Sequence, residues 1–182
     1  MVTSVSPVEL SDGTLLLRLP GPQDVEAVTA ACQDPEIQRW IPVPVPYQRV
    51  HAEEFVASRP SRWAADDGEM TFAVTDARDG RLLAMVGLHA RDPAMREIGY
   101  WTAPWARGRG VMTEAARMVC RFGFDVLGLG RIEWLAAVGN DPSWRVAEKL
   151  GFRREGTLRG RLAHREERLD AWVGGLLPGE LR

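Results

Sequence analysis

The segment Arg107-Gly108-Arg109-Gly110-Val111-Met112-Thr113-Glu114-Ala115 decides how the rest of the chain is interpreted. It follows a strand-like stretch that ends at Pro104, and it opens an amphipathic helix. Two glycines separated by one residue let the backbone approach an anion closely, and the helix N-terminus adds partial positive charge in the same direction. The two arginines can bind phosphate oxygens. The segment therefore predicts a site for a pyrophosphate or another phosphate ester.

Two other phosphate-binding patterns do not fit this turn. A Walker loop would continue with Gly-Lys-Ser/Thr, and a dinucleotide fingerprint would place a third glycine at a fixed offset. An ordinary glycine-rich turn with solvated arginines remains an alternative. An arginine–glycine nucleic-acid segment is a third interpretation. It is less favoured, because only two such dipeptides occur and both lie within folded sequence.

Outward from the turn, the spacing of apolar residues predicts alternating helices and strands. The predicted strands are Thr14–Leu19, Met70–Thr75, Leu82–His89, Arg96–Thr102, Arg131–Val138, Phe152–Leu158 and Glu167–Leu176. The predicted helices run from Pro22 to near Asp34-Pro35, over Val50–Trp63, from Val111 to Gly128, and from Asp141 as N-cap to Gly151. Loops or turns are predicted at Trp40–Tyr47, Asp66-Asp67-Gly68, Asp79-Gly80 and Asp92-Pro93. This order predicts an α/β (α+β) fold with a mixed sheet.

A second polar pair lies where the fifth predicted strand ends. Asn140 and Ser143 are three residues apart at the start of a short helix. An Asn amide can both donate to and accept from another amide, such as those of a pantetheine arm. A serine beside it can donate a hydrogen bond to a leaving thiolate. Both residue types are also common at helix starts, where they only support the turn, so the pair alone leaves both interpretations open.

Together the two segments resemble the GNAT N-acetyltransferases, in particular the ribosomal-protein-alanine N-acetyltransferase branch. The cofactor turn of that branch reads Gln or Arg, two residues, Gly, one residue, and Gly or Ala. Here Arg107 takes the first place and Gly110 the fourth, while Met112 in the sixth place departs from the pattern. Thr113-Glu114-Ala115 matches the usual continuation, and Asn140 to Phe152 matches the downstream motif. The resemblance is good from Glu97 to Leu176 and extends to the N-terminal third only in the order of elements.

The resemblance implies one GNAT domain over residues 1–182. Its sheet would be mixed, mostly antiparallel and splayed by a bulge near Trp101–Ala103, with about four helices around it. Acetyl-CoA, or another acyl-CoA, would lie in that opening with its pyrophosphate on the turn. The implied cofactor-binding residues are Trp101, Thr102, Arg107, Gly108, Arg109, Gly110, Val111, Met112, Thr113, Asn140 and Ser143.

The implied reaction is direct transfer of the acyl group to a primary amine in a ternary complex. Many GNAT enzymes use a tyrosine after the second motif as proton donor, but Tyr47 and Tyr100 both lie upstream. That role is therefore expected to be vacant, and Ser143 takes it, as in the ribosomal branch. Glu97 is the candidate general base, with a surface-facing strand glutamate as the alternative, and His89 is a weaker candidate. The alternative function is a catalytically weak acyl-CoA-binding sensor or scaffold protein.

Composition narrows the expected partners. The net charge of −2 over 182 residues gives no global basic field, so neither nucleic acid nor a membrane surface is expected as a partner. Two distant cysteines and three isolated histidines predict neither a disulfide framework nor a metal site, and they suit a cytoplasmic protein. The acceptor is left open between a small-molecule amine and a protein N-terminal amine. The family frequently forms homodimers, for which the strand of Trp134 or the final strands are candidate contacts.

Overall fold

The computed structural model of the chain describes residues 6–65, 68–92 and 94–182, and within them eight strands form one sheet. The strands are β1 (Leu10–Ser11), β2 (Leu15–Arg18), β3 (Met70–Asp76), β4 (Leu82–Asp92), β5 (Met95–Thr102), β6 (Arg131–Ala137), β7 (Arg153–His164) and β8 (Glu167–Leu176). Their spatial order is β1-β2-β3-β4-β5-β6-β8-β7. Neighbouring strands are antiparallel except for β5 and β6, which are parallel. The predicted mixed, mostly antiparallel sheet is confirmed.

The described residues also form five α-helices and two short 3-10 helices, at Pro22–Asp24 and Pro104–Ala106. The α-helices are α1 (Val25–Ala31), α2 (Pro35–Trp40), α3 (Arg49–Ala64), α4 (Val111–Asp125) and α5 (Asp141–Leu150). Helix α4 buries the apolar face that its sequence predicts, because residues at helical spacing share one side of the helix. Asp66, Asp67 and Pro93, which belong to two of the predicted turns, lie outside the described residues.

Helix α2 corrects the sequence analysis, which ends a helix near Asp34-Pro35 and places a loop from Trp40. The carboxylate of Asp34 accepts a hydrogen bond from the Ile37 backbone N–H at 3.0 Å and so caps the N-terminus of a new helix. Proline is favoured in the first turn of a helix, where its missing N–H costs nothing. Pro35 therefore starts α2 rather than ending the helix before it.

Strands β5 and β6 separate at the centre of the sheet. Their parallel ladder runs from Met95 opposite Arg131 to Ile98 opposite Trp134. Beyond Ile98, β5 continues along β4, while beyond Trp134 β6 continues along β8. The β4–β5 register is regular as far as Thr102 and shifts between Ala90 and Asp92 instead. The expected splay is present, but it begins after Ile98 rather than at a bulge near Trp101–Ala103.

Buried apolar side chains cover both faces of the sheet. One cluster packs β2 to β6 against α4 and α5, and the other packs α1, α2 and α3 against the opposite face. Both cysteines are buried. Cys32 directly follows α1, and Cys120 lies within α4. None of the described helices is long and apolar enough to cross a membrane.

Candidate active site

A cleft of about 470 Å³ opens where β5 and β6 part. Its walls come from the end of β5, the turn before α4, the first turns of α5, and α2. Ten of the eleven residues that the resemblance implies for acyl-CoA line the cleft, and Arg109 does not. The ten are Trp101, Thr102, Arg107, Gly108, Gly110, Val111, Met112, Thr113, Asn140 and Ser143. The structure therefore brings together the two sequence segments that first indicated the site.

The glycines of the turn are required for their backbone conformation. Gly108 and Gly110 have φ angles of +73° and +76°, a region that L side chains rarely adopt. A Cβ added at either residue would meet nothing within 4 Å, so crowding is not the reason. Gly110 caps α4, and the first amides of a helix have no intrahelical acceptor. The side chain of Met112 is buried in the core, so this departure from the family pattern leaves the backbone of the turn uncovered.

Arg107 is already engaged within the protein. Its guanidinium nitrogens lie 2.5 and 3.3 Å from the two carboxylate oxygens of Asp34, and its Nε–H donates to the Thr102 carbonyl at 3.3 Å. These hydrogen bonds from Arg107 lower the pKa of Asp34. Arg107 therefore ties the turn to the N-terminus of α2, a role that the sequence analysis did not include.

Two further cations line the cleft from α5. Arg145 and Lys149 are four residues apart, so they lie on the same face of the helix. The sequence analysis missed both, although their i, i+4 spacing beside Asn140 was a usable signal. Together with the amides at the start of α4, they bring positive charge to the cleft, whose lining also includes Glu36.

Asn140, and not Asp141 as expected, caps helix α5. Its side-chain oxygen accepts a hydrogen bond from the Ser143 backbone N–H at 3.3 Å. Gly151 ends the helix in the left-handed conformation, with φ +102°, as predicted. The capping contact uses the oxygen of the Asn140 amide.

The Ser143 side chain is held by two aromatic residues. The indole N–H of Trp134 donates to Ser143 Oγ at 3.0 Å, and Ser143 Oγ donates to the Tyr100 hydroxyl at 3.3 Å. Tyr100 in turn donates to the Ser143 carbonyl oxygen at 2.8 Å. Burial raises the pKa of Tyr100, so its hydroxyl keeps its proton. Tyr100 lies upstream of the second motif in the sequence, but β5 carries it to the head of α5, beside Ser143. The vacancy of the proton-donor role of a downstream tyrosine stays a prediction.

Glu97 and His89 lie apart from this network. The Glu97 carboxylate is held by Arg91, whose Nε is 2.9 Å from Oε2, and it does not belong to the cleft lining. Glu97 and Tyr100 are three positions apart on β5, so their side chains point to opposite faces of the sheet. The His89 Nδ1 lies 3.4 Å from Glu69 Oε1. Both candidate bases are therefore on the face opposite Ser143.

Helix α2 forms the outer wall of the cleft through Glu36, Ile37 and Trp40. The Trp40 indole N–H donates to Glu36 Oε2 at 3.2 Å. Trp134 itself is only 1% exposed, so a dimer contact through its strand would have to use other residues of that strand. In the described part of the chain, no group of three or more His, Cys, Asp or Glu side chains is placed to hold a metal ion.

A splayed mixed sheet with a glycine-rich anion turn beside the opening defines an acyltransferase-type site. The family model described as the acetyltransferase (GNAT) domain matches residues 14–153. The chain belongs to the GNAT acetyltransferase family, whose acyl donor is acetyl-CoA. The family expected from the sequence is confirmed.

Individual relatives agree with this assignment. The putative ribosomal N-acetyltransferase YdaF of Bacillus subtilis is 43% identical over 83 residues, which are 44% of this chain and 45% of YdaF. The matched stretch thus spans less than half of that relative. The uncharacterized N-acetyltransferase YoaA of Bacillus subtilis is 30% identical over 161 residues, 82% of this chain and 85% of YoaA. A solved structure of a putative ribosomal-protein-serine acetyltransferase from Vibrio cholerae has a TM-score of 0.85 at 24% identity, over 96% of this chain and 100% of that one.

Proposed function

We propose that the chain transfers an acetyl group from acetyl-CoA to the α-amine of a protein N-terminus, by direct attack in a ternary complex. One observation carries the proposal. The Ser143 hydroxyl, oriented by Trp134, opens onto the same cleft as the Gly108–Thr113 turn. One cleft would thus hold both a proton donor for the leaving thiolate and a turn for the pyrophosphate of acetyl-CoA.

The cleft offers a partner for each part of the donor substrate. The amides at the start of α4 would accept the pyrophosphate. Arg145 and Lys149 line the same cleft and would add positive charge beside the phosphates of acetyl-CoA. The Asn140 side-chain N–H₂ is left to donate to a carbonyl of the pantetheine arm, because its oxygen already accepts from the Ser143 N–H.

The chemistry follows from these positions. The lone pair of the neutral amine attacks the thioester carbonyl carbon, and the tetrahedral adduct then breaks its C–S bond. The Ser143 hydroxyl would donate a hydrogen bond to the departing thiolate. This hydrogen bond stabilises the negative charge that develops on sulfur as the C–S bond breaks. The amine releases one proton, and the CoA sulfur takes up one. No other atom is gained or lost.

Glu97 is the proposed acceptor of the amine proton. It lies one residue before the point at which β5 leaves β6, on the face opposite Tyr100. Base and proton donor would then act on the thioester from two sides of the sheet. An α-amine has a pKa near ~8, so at neutral pH it needs far less help from a base than a lysine amine, with a pKa near ~10.

A protein acceptor is supported by the names of two relatives, a ribosomal N-acetyltransferase and a ribosomal-protein-serine acetyltransferase. The shape of the site agrees with this choice. The cleft is partly open to solvent rather than fully enclosed, so the end of an extended chain could enter it beside α2 and Trp40.

The test measures CoA release with three peptides that share one lysine-free sequence, except for a single lysine introduced into the third. One has a free N-terminus, one is N-terminally blocked, and one is blocked but carries an internal lysine. Release with the first alone, lost in Ser143→Ala, is the expected result. Release with the lysine peptide would overturn the choice of acceptor. Binding of acetyl-CoA by calorimetry without turnover on any amine would instead establish the sensor or scaffold function.

A further inference from the structure

The contact between Trp134 and Ser143 fixes more than the position of the serine. The indole belongs to β6, is 1% exposed, and reaches Ser143 from within the protein rather than from the cleft. An indole N–H can only donate a hydrogen bond and never accepts one. It therefore occupies one lone pair of Ser143 Oγ and leaves the hydroxyl proton to point elsewhere.

Among the described residues, Tyr100 is the group that receives that proton. Its oxygen accepts from Ser143 Oγ at 3.3 Å, while its own proton is directed to the Ser143 carbonyl at 2.8 Å. The three hydrogen bonds thus run in one sense, from Trp134 to Ser143, from Ser143 to Tyr100, and from Tyr100 to the backbone. In this arrangement Ser143 always presents its proton.

We infer that Trp134 is a positioning residue that makes Ser143 an obligate donor to the leaving sulfur, an inference that rests on the proposed function. The Ser143–Tyr100 bond is long for a pair of hydroxyls, so the proton can turn from Tyr100 to a thiolate at small cost. The bond from Trp134 remains during that turn, and a hydrogen bond donated to an oxygen strengthens the oxygen's own O–H as a donor.

Packing prevents the indole from turning away from Ser143. The Trp134 and Trp144 rings have centroids 5.3 Å apart, and Arg154 lies 4.4 Å above the Trp144 ring and 4.0 Å above the Trp172 ring. On the other side, a Cβ at Gly174 would come within 3.4 Å of Trp134 Cε3 and 3.0 Å of the Arg153 carbonyl. Gly174 thus packs against this indole, and the Arg153 carbonyl leaves the least room for a side chain there.

Trp63 supplies the matched control, because it is likewise 1% exposed, is not part of the cleft lining, and its indole nitrogen has no hydrogen-bond partner among the described residues. We expect Trp134→Phe to lower kcat about tenfold, as for the loss of one hydrogen bond, with KM for acetyl-CoA changed less than about twofold. Trp63→Phe is expected to retain kcat within about twofold of the wild type, with a similar change in Tm. Equal values of kcat in the two variants would overturn the inference.

The kinetics also separate this inference from the proposed function. Ser143→Ala is measured in parallel, and Trp134→Phe is expected to have no further effect in that background. If Ser143→Ala retains wild-type kcat, the proposed role of Ser143 fails. If Ser143→Ala loses activity and Trp134→Phe does not, only the role of Trp134 fails.

A spectroscopic measurement covers the case in which Trp134→Phe does not fold. In ¹⁵N-tryptophan-labelled protein, Ser143→Ala should move the Trp134 indole N–H resonance upfield and speed its exchange with solvent. The indole resonance of Trp63, which packs against Phe72 and is not part of the cleft lining, serves as the internal reference. An unchanged Trp134 resonance would show that the hydrogen bond is not formed in solution and would overturn the inference.

Discussion

Arg107 and Asp34 connect the glycine-rich turn before α4 to α2, the outer wall of the cleft. Two guanidinium nitrogens lie 2.5 and 3.3 Å from the two carboxylate oxygens, and the same carboxylate caps α2 by accepting from the Ile37 N–H at 3.0 Å. One side chain therefore has two tasks, the ion pair and the helix cap. The placement of α2 against the turn depends on both.

Substitutions at Asp34 separate these tasks. Asparagine keeps the capping oxygen and loses the charge, and because the ion pair is partly exposed, Asp34→Asn should cost less than about 1 kcal/mol in free energy of unfolding. Asp34→Ala also loses the cap and should cost about 1 kcal/mol more. Urea denaturation measures both values. Equal losses in the two variants would mean that the cap contributes nothing.

Gly110 should be needed for cofactor binding as well as for stability. Gly110→Ala forces a Cβ into φ +76° and should cost about 1 kcal/mol in free energy of unfolding. Gly80 in the β3–β4 hairpin is the control, because its φ is +73° and its Cβ would also meet nothing within 4 Å. Both variants should lose similar stability, but only Gly110→Ala should raise KM for acetyl-CoA. A raised KM in both variants would assign the effect to general destabilisation.

Arg145 and Lys149 should bind the donor through charge. Arg145→Ala and Lys149→Ala are each expected to raise KM for acetyl-CoA by about five- to tenfold, with kcat nearly unchanged, and the difference from wild type should shrink as salt is added. Arg121 on α4 is exposed and outside the cleft, so Arg121→Ala is the control for charge alone. A similar effect from Arg121→Ala would indicate a long-range field rather than contacts.

Glu97 should act in the reaction if it accepts the amine proton. Glu97→Gln is then expected to lower kcat about 100-fold near neutral pH, with partial recovery at high pH, where the amine is already neutral. Glu133 is the control, since it lies opposite Glu97 on β6 and is likewise paired with an arginine, Arg131. Loss of activity in Glu36→Gln, and not in Glu97→Gln, would move the base to α2.

The stability of the fold should depend on pH through the carboxyl group of Glu69. The hydrogen bond to His89 and the charge of Arg59 lower the pKa of Glu69 to about 2, against the effect of burial. A lowered carboxyl pKa stabilises the fold above the unfolded value of 4.5, and this stabilisation is lost as the pH falls toward 2. Glu69→Gln should therefore be about 2 kcal/mol less stable than wild type at pH 6, and the difference should narrow below about pH 4. Thermal unfolding at several pH values checks it, and a constant difference would contradict it.

Local patterns predicted the parts of the site that are local in the chain. These parts are the glycine-rich turn, α4, and α5 with the residues that begin and end it. Each was predicted from residues that are close together in the sequence. Tyr100 could not be placed in this way, because it meets Ser143 only through the packing of α5 on β5, 43 residues along the chain. The Arg107–Asp34 pair spans 73 residues. The start of α2 could have been predicted locally, because Asp followed by Pro is typical of a helix N-terminus as well as of the end of the preceding helix.

The burial of both cysteines has a consequence for how turnover can be observed. Burial raises the pKa of Cys32 to about 11 and that of Cys120 to about 12, and the two side chains are 2% and 0% exposed. Disulfide dyes react with thiolates that they can reach, and at neutral pH the folded protein presents none from these two residues. The cysteines of the folded protein therefore should not react with such a dye. The colour that develops reports the CoA set free at the cleft, and a colour that develops without substrate reports unfolding.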